Sequence, residues 1–268
     1  DPPHLLKNAR NMLSKRRLHV TVPGNMGNAS WSHIEHLFER DSKSSFKLAP
    51  KLRDVHINNL KFASAMKVKF AANILSHSVS AAINHMVAEN QMKSDALATS
   101  EYCERFNNIF DILNSRSPRD KVFRRRPLYE NSPSEKYLED SLRWLSELQE
   151  KNKERPVAFI KGFIQSINVV TQLSRQLRVL GFPYLAVRNL SQDPLELFFG
   201  KVRRISKFTT ATASSFSSTF GRLSAASLLR APITGNCEDE EAEEKERETI
   251  DFMEYVSIVF NVVGYSLK

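Results

Sequence analysis

Residues 190–204 read LSQDPLELFFGKVRR, and how this stretch is interpreted decides between two folds. Wound as a helix at about 100° per residue, it sets Leu195, Phe198, Phe199 and Val202 on one side. Asp193, Glu196, Gly200, Arg203 and Arg204 fall on the other. One reading is an amphipathic surface helix, with acids at its N-terminal end and bases at its C-terminal end as the helix dipole favours. The other is a catalytic helix whose carboxylates join acids from distant parts of the chain. Phosphoryl transfer on nucleic acid commonly uses two divalent ions roughly 3.5–4 Å apart, clamped by such carboxylates. Gly200, lacking a side chain, leaves that face open to a backbone or a strand. Periodicity alone accommodates both.

The rest of the 268-residue chain narrows the choice. An apolar fraction of 41% is enough for a packed core. A formal charge of +9 points to a polyanionic partner, nucleic acid first among them. Cys103 and Cys237 are too few for a disulfide framework or a four-ligand zinc module, and they suit a reducing compartment. No apolar run has the length of a membrane span, since 252–267 is interrupted by Glu254, Asn261 and Gly264. The run EDEEAEEKERE (238–248) reads as a solvated acidic linker. The opening DPPHLLKNARN has neither an initiator methionine nor a signal peptide, so a piece of a longer protein is expected.

Helical spacing dominates. Leu5, Leu6, Ala9, Met12 and Leu13 predict a helix over 3–14, with Pro2 and Pro3 in its first turn and Asp1 at the cap. LHVTV (18–22) alternates like a strand that stops at a turn built on Pro23, Gly24 and Gly27. Ser30 caps a helix over 31–40. One long helix is expected over 61–90. Its buried stripe is Val68, Ala71, Leu75, Val79, Ala82 and Met86, and its polar face is Lys69, Asn73, Ser76, His77, Ser80 and Asn84. Further helices are expected over 100–113, 134–150 and 156–180, and a short extended piece over 181–187. No period of roughly 20–50 residues marks a solenoid.

Other candidates have plainer readings beside them. His33 and His36, three apart, have the spacing to share a metal, but Glu35 and Glu39 beside them fit an ordinary surface helix and no third ligand is evident. His4 lies close to Asp1, in position to orient it or to cap. Cys103 reads as a small apolar residue. The densest basic patch is Arg116, Arg119, Lys121, Arg124, Arg125 and Arg126, six cations in eleven residues. It is a solvated loop or, if DNA is the partner, a contact for several phosphates, as are Arg203 and Arg204.

Taken in order, DPPHLLKNARN (1–11), SWSHIEHLFERDSK (30–43), KLAPKLRDVHINNLKFASAMKVKFAANILSHSVSAAI (47–83), RFNNIFDILNSRS (105–117), LSQDPLELFFGKVRR (190–204) and GNCEDEE (235–241) resemble the P-element/THAP-type DNA transposases. The resemblance implies an α-rich α/β fold: a partial RNase H-like catalytic domain interrupted by a mostly helical GTP-binding insertion. It implies boundaries at 1–22 for the end of the first catalytic part and 23–155 for the insertion. The second catalytic part follows over 156–235, then an acidic linker and C-terminal segment over 236–268. Asp1 and Glu196 match the family's second catalytic Asp and its catalytic Glu, implied ligands of Mg2+ or Mn2+. The first Asp of the triad belongs to an upstream strand, so this chain alone is expected to be inactive. The catalytic reading also requires Asp1 and Glu196 to meet in space.

For GTP, the resemblance implies contacts from Lys51, Lys67, Val68, Lys69, Ser76, Phe110, Asp111, Asn114 and Asp193. A carboxylate accepts well from guanine N–H groups, and ammonium groups complement phosphates. No phosphate-binding glycine loop of the G-x-x-x-x-G-K-[ST] type is present, so GTP enters here through the resemblance alone, as a structural or assembly cofactor. The implied partners are transposon-end and target DNA and further copies of the full-length protein. No membrane is involved, and the implied compartment is the nucleus. The alternative is a domesticated relative that binds DNA or protein without catalysis.

Overall fold

The computed structural model describes residues 1–14, 20–58, 66–150, 158–206 and 212–229. Two compact units divide the chain, Asp1–Leu190 and Ser191–Lys268. The described residues are mostly helical. Their strands are three two-residue segments, β1 (Val20–Thr21), β2 (Asn28–Ala29) and β3 (Gln149–Glu150), in the order β2-β1-β3. Both pairings are antiparallel, with Val20 opposite Ala29 on one side and Glu150 on the other. The start of the expected strand over 18–22, the start of the expected 61–90 helix, Cys237, the acidic run and 252–267 lie outside the described residues.

The first unit is organised around α1 (Pro2–Ser14). Proline in a helix's first turn sacrifices no hydrogen bond, and the Asp1 carbonyl accepts from the N–H groups of His4 and Leu5. Leu6, Ala9, Met12 and Leu13 are buried as their spacing predicts, and Arg10 is buried with them. α1 packs on α4 (Val68–Ile74), α6 (Leu97–Leu113) and α8 (Ala158–Val179). Gly162 admits the α8 contact: a Cβ there would stand 2.5 Å from Leu5 Cδ2. Tyr102, wholly buried on α6, donates from its hydroxyl to the Ala9 carbonyl at 3.0 Å.

Phe106 is the hub of the core on α6. Its ring meets those of Tyr102, Trp144, Phe159 and Phe163 at centroid distances of 4.7, 5.6, 6.0 and 5.3 Å, in tilted or edge-on pairs. Trp144 belongs to α7 (Pro133–Glu147), whose first turn is fixed by Pro133 and by the Ser132 hydroxyl accepting from Glu135 N–H. Glu135 is nearly buried and takes two hydrogen bonds from Arg178, at 3.0 and 3.2 Å, which tie α7 to α8. α8 ends in a Schellman motif. Gly181, at φ +91°, donates to Arg178 O, and Phe182 donates to Leu177 O. Earlier in the chain, α2 (Trp31–Lys43) starts where Ser30 caps it, and a short α3 (Asp54–Ile57) follows.

The long helix expected over 61–90 is broken. α4 ends at Ile74, Leu75 leaves the helical region, and Ser76, extended at φ −133°, caps α5 (His77–Ala88). The Ser76 hydroxyl accepts from Val79 N–H and donates to Asn73 O, offering the backbone an alternative to continued helix. The apolar stripe survives the break: Ala71, Leu75, Val79, Ala82 and Met86 are buried. Ser80, expected on the wet face, is also buried, because its hydroxyl pairs with that of Ser100 at 2.8 Å where α5 crosses α6.

In the second unit, α9 (Asp193–Ser206) packs on α10 (Ala213–Leu229). Phe198 meets Phe220 at 5.8 Å and Phe199 meets Phe216 at 5.9 Å. The Ser/Thr-rich stretch becomes helical through a reciprocal cap. Thr212 Oγ1 accepts from Ser215 N–H, and Ser215 Oγ accepts from Thr212 N–H.

Candidate functional site: an acid–arginine cluster at the end of α6

Phe110, Asp111 and Asn114 lie at the C-terminal end of α6, where the last carbonyls seek donors. Asp111 is 6% exposed, and its Oδ1 accepts from Arg125 Nε at 3.0 Å. Burial pushes its carboxyl above the usual range, and the Arg125 guanidinium offsets part of that rise. Asn114 Oδ1 accepts from Arg188 Nη1 at 3.2 Å. Between them Ser115 stitches in the chain after α8. Its Oγ accepts from Val187 N–H and its carbonyl from Arg188 N–H. Sequence reading missed Arg125, Ser115 and Arg188 as partners here, since each meets its partner across a turn or some seventy residues of chain that no local period encodes.

The basic loop is tied down at three consecutive arginines. Arg124 lies 4.0 Å from the centroid of the Tyr137 ring, Arg125 holds Asp111, and Arg126 donates through Nε to Asp120 O at 2.9 Å. A guanidinium carries five N–H donors, so one such bond leaves others for an anion. The side chains of Arg116, Arg119 and Lys121 are exposed.

Lys67, Val68, Lys69 and Ser76 form a second group around α4. Lys67 stands at its N-cap with Nζ 5.5 Å from the Phe70 ring centroid, Lys69 is exposed, and Ser76 caps α5. Phe70 packs edge-on against buried His56 at 4.6 Å. His56 Nδ1 accepts from Arg53 N–H, and burial pushes its pKa down, assisted by Arg53 and Arg10. Lys51 is exposed on the turn after Ala49, which the Asp41 carboxylate fixes by accepting from the N–H groups of Leu48 and Ala49. Both groups rest on one hydrophobic core, with Phe110 packed against it.

Of the implied metal ligands, Asp1 lies in the first unit and Glu196 in the second, exposed on α9. The Asp193 side chain lies outside the described residues. The Asp1 side chain is 9% exposed, its Oδ2 stands 3.7 Å from His4 Nε2, and its buried Oδ1 has no hydrogen-bond partner among the described residues. Among the described residues no group of three or more acids, histidines or cysteines is arranged to hold a metal. His33 is engaged by Thr99 Oγ1 at 2.7 Å and by Asp95, while His36 is exposed. The Cys103 thiol is wholly buried and pushed up to about 12, that of an inert core residue. No helix among the described residues is long and apolar enough to cross a membrane.

With this geometry in view, residues 3–126 match the family model of the TNP-like, GTP-binding insertion domain. The chain resembles the P-element transposases. It is 26% identical over 210 residues to the Transposable element P transposase of Drosophila melanogaster. It is likewise 26% identical over 219 residues to the DNA transposase THAP9 of Homo sapiens. Each match takes in 76% of this chain but only 27% and 23% of those proteins, so the chain spans about a quarter of their length. Its fold superposes with a TM-score of 0.72 on a solved structure described as the Drosophila P element transposase strand transfer complex. That match covers 83% of this chain and 50% of the solved chain at 23% identity.

Proposed function

We propose that this chain is the part of a P-element-like DNA transposase that carries the GTP-binding insertion, over 23–155. On this reading it is flanked by RNase H-like portions over 1–22 and 156–235, with an acidic C-terminal segment over 236–268. The observation that carries the reading is Asp111. Within the segment matched to a GTP-binding insertion domain, it is a buried carboxylate at a helix end, held by an arginine that a ligand can replace. Asp111 accepts from guanine ring and exocyclic N–H groups once Arg125 yields. Phe110 and Val68 supply apolar contact, and Asn114 and Ser76 supply hydrogen bonds. Lys51, Lys67 and Lys69 face the phosphates, and Asp193 stands by the nucleotide. GTP serves as an assembly cofactor.

In the full-length protein the reading continues to metal-dependent DNA strand cleavage and transfer in the nucleus, by an oligomer acting on transposon ends. Asp1 and Glu196 are assigned as oxygen ligands for Mg2+ or Mn2+, hard cations that take such donors. Asp1 fits: a buried carboxylate oxygen without a partner is the kind of atom a cation satisfies. When bound, the ions activate the attacking oxygen and steady the leaving one. The basic loop 116–126, with Arg203 and Arg204, contacts the DNA backbone.

The test of the nucleotide site is a specificity swap. Asp111→Asn replaces an acceptor with a donor–acceptor amide, which no longer matches guanine but matches xanthine. Titrating GTP and XTP against the whole chain should show GTP weakened about a hundredfold and XTP strengthened. GTP binding that survives the substitution unchanged removes Asp111 from the site.

A further inference from the structure

Leu128 and Leu185 form an isolated antiparallel bridge that exchanges both backbone hydrogen bonds, at 2.9 and 2.8 Å. Residues paired this way share one face of the ribbon, and their neighbours point to the other. Leu128 and Leu185 are buried, while Tyr129 and Tyr184, the residues flanking that bridge on its outer side, are 43% and 47% exposed. Phe182, two residues before Tyr184, is exposed as well. Among the described residues neither tyrosine ring stacks on another aromatic ring or under a cation.

The basic loop adjoins the inner end of this platform, with Asp111 and Asp120 engaged by Arg125 and Arg126. Going inward from the Leu128–Leu185 bridge, one segment leads back to Arg126 and the other on to Arg188. Arg116 donates its N–H to Arg125 O, and Arg188 donates its N–H to Ser115 O, so the basic loop and the tyrosine ribbon are sewn together at Ser115. Exposed Arg116, Arg119 and Lys121 border the same junction.

From this juxtaposition we infer that Tyr129 and Tyr184, with the adjoining basic loop, form a binding surface for single-stranded DNA. The tyrosines stack on unpaired bases and the arginines track the phosphates. Open aromatic faces beside a row of cations are what a single strand needs, because its bases present π-faces and its backbone presents charge. A duplex hides its base faces in the stack and gains only the electrostatic part. The choice of DNA over RNA rests on the transposase reading above; the choice of single strand over duplex rests on the tyrosines.

The test uses the whole chain and fluorescence anisotropy with two probes, an oligo-dT of about 20 nucleotides and a duplex of equal length. Tyr129→Ala combined with Tyr184→Ala should weaken oligo-dT binding about tenfold or more, while duplex binding stays within about twofold. Tyr129→Phe with Tyr184→Phe keeps both rings and should bind oligo-dT like the parent, which separates stacking from a folding defect. The platform is overturned if the alanine pair weakens both probes equally or neither, or if the parent chain shows no oligo-dT binding. Duplex binding without tyrosine dependence sinks the platform and leaves the DNA reading standing. Binding of neither probe removes both.

Discussion

Replacing Arg125 with alanine isolates the one ion pair at the heart of the candidate site. Arg125 Nε stands 3.0 Å from Asp111 Oδ1, with the acid side chain 8% and the base side chain 48% exposed. A charge-assisted hydrogen bond with both partners dry contributes about 1.5–3 kcal/mol, and a fully wet pair about 0–1. Half-exposure of the base puts this pair near 1.5 kcal/mol, or about 3–6 °C in Tm for a unit of this size. The pH dependence follows from the direction of the Asp111 shift. Its carboxyl is raised in the folded protein, mainly by burial. Protonated Asp111 is therefore favoured by the fold, and the associated stability is present at low pH and lost as pH rises through the folded pKa. Without Arg125 that loss deepens, so Arg125→Ala should cost most near neutral pH and least in the acid range below the folded pKa of Asp111, where the acid is neutral. Urea denaturation followed by far-ultraviolet circular dichroism, with a double-mutant cycle through Asp111→Asn, reads both quantities. An equal penalty at both pH values, or a coupling under about 0.3 kcal/mol, refutes the reasoning.

Two further perturbations probe the frame around the site. A Cβ at Gly27 would meet the Asp95 backbone, 2.5 Å from its carbonyl oxygen and 2.7 Å from its Cα, so Gly27→Ala should destabilise by about 1–3 kcal/mol, seen as a Tm lowered by several degrees. An unchanged Tm would mean that the strand turn and the Asp95 turn are not in contact. Buried His56 has its pKa depressed by desolvation and by Arg53 and Arg10. The stability it contributes is full above the unfolded value of about 6.5 and is lost as pH falls through the folded one. His56→Gln should flatten the acid limb of a urea-midpoint-against-pH curve, and an identical slope in parent and variant would contradict this.

The parts of the fold that one helix settles by itself were legible in the sequence. The α1 stripe, the Ser30 cap and the core face over 100–113 all follow from local spacing, because burial of a helix face repeats every few residues. The break at Ser76 was not legible, since a serine on a polar face and a serine at a cap look alike until the backbone beside it is known. Ser80 misled for a related reason: its hydroxyl is satisfied by Ser100, twenty residues away, so polarity did not imply exposure. At the candidate site Asp111 and Asn114 are implied by a resemblance, while their arginine partners are set by the fold. Three arginines in a row read as a solvated loop or a contact for DNA phosphates. In the fold each is committed to a different neighbour, because tyrosine, carboxylate and carbonyl all compete with water for a guanidinium.

The placement of α1 gives the proposed cofactor role a physical basis. Asp1, assigned to the metal, heads a helix that packs on both α4 and α6, the helices carrying the residues assigned to the nucleotide. The Tyr102–Ala9 hydrogen bond and the shared burial of Leu6, Ala9 and Leu13 make the three helices a single core. A close-packed core transmits ordering, because a side chain cannot loosen without opening space for its neighbours. A ligand that orders the ends of α4 and α6 therefore also narrows the positions open to the carboxylate at the start of α1, with no contact between the two groups and no bond of the nucleotide broken. That coupling suits a nucleotide that assembles a catalytic centre, and it requires nothing of GTP as an energy source.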